Sequence, residues 1–267
     1  MIKDITLGQY YPTDSFLHEL DPRTKLIGIF LYMMTLFYWQ DIRVYLLAVL
    51  FLIPLLFLSN IPISCQLRGL KPVIPIMIFT GILNIFHKGE HIVVSFFGLQ
   101  ITKEGMILTF YVTIRFILFM LLASLLTNTS TPTRLMDGLE SILSPLKKIK
   151  VPVHEMALMM SIALRFIPTL VEEMDVITKA QMARGVDFNT KKLSKKVKQV
   201  YAVFVPLFIS TIRRSRELAE AMEARCYAVG VERTKLYPLK YRKKDILAFI
   251  ILIIYVVAVL LLKVSYS

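Results

Sequence analysis

Apolar residues form three long stretches before residue 127 and a fourth near the C-terminal end of the chain. The first stretch, residues 26–58, is apolar apart from Gln40, Asp41 and Arg43. One helix of that length would be about 50 Å long and would hold these polar residues at mid-bilayer. The pattern therefore predicts two membrane-spanning helices joined by a tight polar turn.

The remaining apolar stretches predict three more spans. Residues 72–86 and 105–126 predict the third and fourth spans, and residues 246–262 predict the last. The segment 87–104 between the third and fourth spans predicts an external turn or short hairpin. Residues 61–71 contain proline and basic residues and predict a loop.

The segment between the fourth and fifth spans is strongly basic. Residues 127–245 hold 22 of the 32 Lys and Arg residues but only 12 of the 19 Asp and Glu residues. Because basic residues accumulate in cytoplasmic segments, we expect this block and the N-terminus inside the cell and the C-terminus outside. If residues 26–58 formed a single span, the N-terminus would instead lie outside.

The sequence thus predicts an all-α, polytopic membrane protein of about five transmembrane helices, with a cytoplasmic helical domain inserted before the last span. Residues 1–126 would hold four spans, residues 127–245 the cytoplasmic domain, and residues 246–267 the last span. At 56% hydrophobic residues, the chain has more apolar surface than an ordinary soluble core can bury.

Two amphipathic helices are predicted within the basic block, after a shorter helix at residues 132–146. The first helix carries apolar side chains at alternating spacings of four and three residues, and the second carries a similar stripe that is interrupted after Thr211. The first stripe comprises Met156, Met160, Ala163, Ile167, Leu170, Met174 and Ile177. The second comprises Val197, Val200, Phe204, Leu207, Thr211, Leu218 and Met222.

Each stripe leads to an arginine between two small residues. The tripeptides are Ala183-Arg184-Gly185 and Ala224-Arg225-Cys226, and their arginines lie 41 residues apart. Small neighbours leave the planar guanidinium uncovered, and its fork of donors suits acidic or carbonyl groups in a partner's groove. The alternative is that each arginine merely complements the dipole at the end of its helix.

One charged residue, Arg115, is predicted midway along the fourth span. A charge at that depth marks either a functional site or a pairing that serves the structure, and we favour the structural role. An intramembrane enzyme would need acidic, basic or metal-binding groups near Arg115, and the spans offer only Asn84. A self-sufficient secondary transporter would be expected to show inverted repeats and midplane ionisable groups, and the weak repeat here lies in the basic block.

Other chemistry is not indicated by the sequence. It contains no phosphate-binding loop and no zinc-protease or serine-hydrolase motif, so we expect neither catalysis nor a cofactor. Cys65 and Cys226 fall in segments expected to be cytoplasmic, where a disulfide or metal site is not favoured. The net charge of +13 does not require nucleic acid, since basic residues also set membrane orientation.

Several segments resemble the transmembrane T component of energy-coupling factor (ECF) transporters, EcfT. They are the segment 20–26 with Asp21, Pro22 and Arg23, the segments 131–146 and 163–168, and the two arginine tripeptides. The resemblance covers essentially the whole chain in order. The second tripeptide departs from the family pattern, with Cys226 where glycine is usual.

The resemblance implies the scaffold of an ABC-type importer for vitamins or other micronutrients. In that family, two cytoplasmic ATPase subunits supply the energy, and a small membrane S component captures the substrate. The signature arginines, here Arg184 and Arg225, would end coupling helices that each contact one ATPase. The substrate would be determined by the S component and not by this chain.

Overall fold

The computed structural model describes residues 10–38, 41–85, 92–96, 99–188, 193–228, 230 and 238–264. The chain divides into two compact units. The first, here called the membrane unit, comprises residues 8–142 and 239–267, and the second, the arm unit, comprises residues 143–238 together with residues 1–7.

The described part of the membrane unit consists of eight helices and one hairpin. They are α1 (Phe16–Glu19), α2 (Pro22–Tyr38), α3 (Ile42–Leu58), α4 (Ile63–Arg68), α5 (Ile74–Ile85), β1 (Ile92–Phe96), β2 (Leu99–Thr102), α6 (Lys103–Thr129), α7 (Pro132–Leu143) and α10 (Lys243–Val264). The arm unit holds a 3₁₀ helix (Ser144–Ile149), α8 (Val153–Ala183) and α9 (Leu193–Ala224).

Helices α2 and α3 form an antiparallel hairpin, so the prediction of two helices within residues 26–58 is confirmed. Asp41 caps α3 by accepting a hydrogen bond from the Arg43 backbone N–H. The hydroxyl of Tyr32 donates to the carbonyl oxygen of Ala48 at 3.1 Å. Tyr32 is buried, and its hydroxyl is thus satisfied inside the helix pair, as burial in a membrane requires.

The last helix, α10, packs into the same core. The Tyr255 hydroxyl lies 2.8 Å from that of Thr35, and the Tyr255 ring lies 4.5 Å from that of Phe51 and 5.6 Å from that of Tyr32. Val259 of α10 is fully buried. The first and last predicted spans are therefore neighbours despite their separation in sequence.

Helix α5 is preceded by the short helix α4 and followed by the β1–β2 hairpin. The predicted loop at residues 61–71 is wrong, because it contains helix α4. Gln66 stabilises this turn by donating to the Ser59 hydroxyl at 3.0 Å and the Ile61 carbonyl at 3.3 Å. The hairpin predicted before the fourth span is confirmed: β1 and β2 pair antiparallel, with Phe96 opposite Leu99.

Within the described residues, three helices have the length and apolar composition needed to cross a membrane: α6, α8 and α10. Helices α3 and α5 are apolar but shorter, with 17 and 12 residues. Helix α8 is the least hydropathic of the three long helices, and its second half carries Glu172, Glu173, Asp175 and Lys179.

The helical membrane fold is thus confirmed, while the placement of residues 127–245 in the cytoplasm stays a prediction. The division into compact units falls at residue 143 and not at the predicted boundary of 127. Helix α7 belongs to the membrane unit because Gly138 packs closely against Pro22 of α2. The predicted helix over 132–146 changes to a 3₁₀ helix at Ser144, immediately before Pro145.

Candidate functional site

The first arginine tripeptide ends helix α8 in a defined backbone motif. Gly185 adopts the left-handed conformation, with φ at +88°, and its N–H donates to the carbonyl of Met182 at 2.9 Å. The N–H of Val186 reaches back to the carbonyl of Gln181 at 3.1 Å. This pair of bonds is a Schellman motif, which satisfies the last carbonyls of a helix and turns the chain away. Arg184 is the last residue before the turn and is exposed.

The second tripeptide repeats this geometry at the end of α9. The N–H of Cys226 donates to Glu223 at 2.8 Å, and the N–H of Tyr227 donates to Met222 at 3.0 Å. Cys226 takes the left-handed conformation, with φ at +58°. Arg225 is exposed and occupies the position that Arg184 holds in the first motif. The replacement of glycine by cysteine therefore does not change the backbone turn.

Both tripeptides are accessible to a partner. All three residues of each are exposed, and no ion pair or hydrogen bond engages either guanidinium within the described part of the chain. A Cβ atom placed on Gly185 would meet no heavy atom within 4 Å. Both arginines are therefore exposed, with small residues on either side. As far as the described residues show, each arginine presents a fork-shaped set of donors without a partner at a helix end.

Helices α8 and α9 pack antiparallel in the arm unit, which separates the two tips. Arg214 of α9 forms an ion pair with Glu173 of α8 at 3.1 Å, and Ser210 donates a hydrogen bond to the same carboxylate. Helix α9 alone is about 48 Å long at 1.5 Å per residue. Since the tip of α8 lies toward the start of α9, the arginines are on the order of 30 Å apart and cannot share one small binding site.

Much of the apolar surface of α8 and α9 is not covered inside the arm unit, although the sequence stripes were predicted as packing faces. Exposed side chains of the stripes are Met156, Met160, Val197, Val200 and Phe204. Phe208, Ile209 and Ile212 extend the exposed surface of α9. An apolar surface of this size indicates contact with a partner or with the membrane.

The residues of the predicted motif near the first span lie at the N-terminus of α2. Asp21 is buried and caps the helix, since its Oδ1 accepts a hydrogen bond from the Arg23 backbone N–H at 2.9 Å. Pro22 is the first helical residue, a position where proline costs no hydrogen bond. The Arg23 guanidinium lies 5.3 Å from the ring centre of Tyr241, just before α10.

The intramembrane Arg115 of α6 has partners that explain it structurally. Its Nη2 and Nε donate to the hydroxyl oxygen of Tyr45, at 2.9 and 3.2 Å. The guanidinium carbon lies 5.0 Å from the ring centre of Phe37. Asn84, the one candidate partner that the sequence offered, is not among these contacts. The Tyr45 hydroxyl and the Phe37 ring hold the guanidinium in place, but these contacts supply no general acid, general base or nucleophile.

Asp245, which is 1% exposed at the start of α10, was not predicted as a site residue from the sequence. Its carboxylate accepts hydrogen bonds from the N–H of Asp21 at 2.7 Å and from the hydroxyl of Thr24 at 3.2 Å. The available signal was an acidic residue directly after the basic run Tyr241-Arg242-Lys243-Lys244, where a helix begins. Within the described residues, no group of three or more His, Cys, Asp and Glu side chains could hold a metal ion.

Comparison with known proteins gives consistent matches over this chain. The family model CbiQ, described as cobalt transport protein, matches residues 13–237. The curated protein "Energy-coupling factor transporter transmembrane protein EcfT" of Ruminiclostridium cellulolyticum is 46% identical over 263 residues, which is 98% of each chain. The protein of the same name from Bacillus subtilis is 46% identical over 257 residues, covering 95% of this chain and 96% of the relative. That from Lactococcus lactis is 42% identical over 261 residues, 97% and 98% of the two chains.

Proposed function

The chain belongs to the CbiQ family and to its energy-coupling factor transporter transmembrane proteins, and from this premise we propose that it joins two cytoplasmic ATPase subunits to a membrane-embedded S component. It is the transmembrane energy-coupling component of such a transporter. ATP hydrolysis is assigned to the ATPase subunits, and the capture of a vitamin or other micronutrient to the S component.

The observation that carries the proposal is the pair of equivalent arginine tips. Arg184 and Arg225 end their helices in the same Schellman geometry, so they present the same recognition element twice. Their separation, on the order of 30 Å, suits two binding sites on two similar subunits better than one site. We propose that Arg184 and Arg225, with their flanking residues Ala183, Gly185, Ala224 and Cys226, dock one on each ATPase.

The exposed apolar surface of the arm unit supports the second half of the proposal. Phe204, Phe208 and Ile212 offer a continuous helix face to an apolar partner, at spacings of four residues. We propose that this face contacts the S component or the bilayer, while the arginine tips face the ATPases. ATP-driven movement of the tips would then be carried along α8 and α9 to the substrate-binding partner.

The orientation proposed from the Lys and Arg distribution places the arm unit in the cytoplasm. It is tested with single cysteines introduced at Lys103 or Lys196, in a chain lacking Cys65 and Cys226. A membrane-impermeant thiol reagent should label the cysteine at position 103 in intact cells and that at position 196 only after lysis. Labelling at position 196 in sealed cells would contradict a cytoplasmic arm and, with it, ATPase docking.

Co-purification tests the partners directly. The tagged chain, solubilised from its own cells in mild detergent, should bring two ATPase subunits and a small membrane protein in stoichiometric amounts. The isolated chain should not bind ATP, because it lacks a phosphate-binding loop. A complex without an ATPase, or saturable ATP binding by the isolated chain, would refute the proposed scaffold role.

A further inference from the structure

We infer that the first turn of α2, residues Asp21–Lys25, holds both chain segments that connect the membrane unit to the arm unit, and thereby passes movement of the arm to the membrane helices. We call these five residues the anchor turn. The inference rests on the proposed function, since it concerns how the energy-coupling movement enters the membrane unit. The chain leaves the membrane unit after residue 142 and returns to it at residue 239.

The returning segment is fixed to the anchor turn by a buried carboxylate. Oδ1 of Asp245 accepts hydrogen bonds from the Asp21 N–H at 2.7 Å and the Thr24 hydroxyl at 3.2 Å. Its Oδ2 accepts from the N–H of Arg242 at 2.7 Å. The carboxylate thus joins the N-terminal turns of α2 and α10, where negative charge is favoured by both helix dipoles.

Two further contacts reinforce this attachment. The guanidinium of Arg23 lies over the ring of Tyr241, with 5.3 Å between the guanidinium carbon and the ring centre. Next to it, Lys244 forms an ion pair with Glu19, the last residue of α1. The returning segment is therefore held at positions 241, 244 and 245 before α10 enters the core.

The outgoing segment is attached to the same turn. The ammonium of Lys25 donates hydrogen bonds to the carbonyl oxygen of Thr129 at 2.9 Å and to the Ser130 hydroxyl at 2.8 Å, at the C-terminal end of α6. A cation there satisfies a terminal carbonyl and complements the helix dipole. On α7, a Cβ atom at Gly138 would lie 2.8 Å from the Cβ of Pro22, so only glycine permits this approach.

These contacts make the anchor turn a mechanical junction. Both connections to the arm meet one helical turn through hydrogen bonds to charged groups, which are stronger than neutral ones. A displacement of either connecting segment therefore moves α2, and the packing of α2 in the core passes this movement to α3, α6 and α10. Coupling between distant sites requires such a contiguous packed path.

The test compares two substitutions that cut the two attachments separately. In Asp245→Asn, an amide group must face either the Arg242 N–H or the donors of the anchor turn, so one side loses its acceptor. In Lys25→Met, an unbranched side chain one atom shorter is kept and the donors to Thr129 and Ser130 are lost. Matched controls are Asp41→Asn, an exposed carboxylate at the N-terminus of α3, and Lys103→Met, an exposed lysine at the other end of α6.

Three quantities are measured on the full transporter complex in proteoliposomes: the amount of complex, ATP hydrolysed per complex, and substrate taken up per ATP hydrolysed. We expect each anchor variant to assemble and hydrolyse ATP while uptake per ATP falls at least about tenfold. Lys25→Arg, which keeps donors, should recover most of the uptake. The controls should behave as the unaltered chain.

Unchanged uptake per ATP in both anchor variants would overturn the inference. So would a loss of uptake that only follows a loss of complex, because that describes a structural role. If Asp245→Asn does not accumulate, Thr24→Val is used in its place, since it keeps the side-chain shape and removes one hydrogen bond. The proposed function fails separately, if the unaltered chain does not assemble with ATPases or does not support uptake.

Discussion

The contact between Arg115 and Tyr45 gives a quantitative prediction about the membrane core. Tyr45→Phe removes the hydroxyl that accepts two hydrogen bonds from the Arg115 guanidinium, and Tyr45 is only 1% exposed. Hydrogen bonds to charged groups contribute about 1.5–3 kcal/mol. Because the two bonds share one oxygen atom and the Phe37 contact remains, we expect a loss of about 2 kcal/mol in the free energy of unfolding.

Arg115→Met should be milder, since it removes the charge together with its need for an acceptor. In the double variant, the Tyr45 substitution should add little, so the double-mutant cycle should give a coupling energy of about 2 kcal/mol. The measurement is thermal unfolding of the purified chain in detergent, where the single Tyr45→Phe change should lower the midpoint by roughly 5 °C.

Tyr111→Phe is the matched control, because Tyr111 stacks on Tyr45 with ring centres 5.3 Å apart and loses a hydroxyl outside the Arg115 contact. A coupling energy near zero, or equal effects of the two Tyr→Phe changes, would refute the reasoning about the Arg115 contact. Uptake by the Arg115→Met transporter should stay near normal. A complete loss of uptake by an intact complex would show that Arg115 acts in transport itself.

Three further predictions concern the helix ends and the arm. Cys226→Gly should raise the free energy of unfolding by about 1 kcal/mol, because glycine adopts a left-handed conformation without the Cβ penalty. For the same reason, Gly185→Ala should lower it by about 1–2 kcal/mol, and thermal unfolding midpoints equal to that of the unaltered chain would contradict the shared geometry. Glu173→Ala should remove the ion pair to Arg214 and increase backbone hydrogen exchange in α8 and α9, and unchanged exchange would show that the pair contributes nothing. Burial lowers the pKa of His18 below its ordinary 6.5, so the stability that neutral His18 contributes is full above pH 6.5 and decreases as the pH falls through the lowered pKa. The unfolding midpoint of a His18→Gln variant should therefore depend less on pH, and an unchanged pH dependence would contradict this.

The helical pattern was predictable from the sequence because it follows from hydrophobic periodicity and turn chemistry. The polar turn near Asp41 separated two short helices, and the stripes that end at Arg184 and Arg225 located α8 and α9 and their C-terminal ends. The equivalence of Gly185 and Cys226 was not predictable, since cysteine rarely adopts a left-handed conformation. It follows from the Schellman hydrogen bonds, which fix the backbone whatever the side chain.

The anchor contacts could not be predicted, because they join residues more than a hundred positions apart. The sequence shows Asp245 as one acid beside a basic run, and only the packing of α10 on α2 brings its carboxylate to Asp21. The partner of Arg115 was also missed, although Tyr45 is only 70 positions away. Tyr45 lies on a different helix, and a pattern along one segment does not say which neighbour that segment meets.

The central claim, that two equivalent arginine tips couple the chain to two ATPases, is tested most directly by removing them singly and together. Arg184→Ala and Arg225→Ala should each leave the complex largely assembled but sharply reduce uptake, since losing one partner of a desolvated charged contact costs about 2–5 kcal/mol. The double variant should also fail to co-purify with the ATPases, while Lys196→Ala and Lys198→Ala, at exposed positions of α9, should change neither measurement. A double variant that assembles with the ATPases and transports like the unaltered chain would show that both arginines are ordinary helix-end residues.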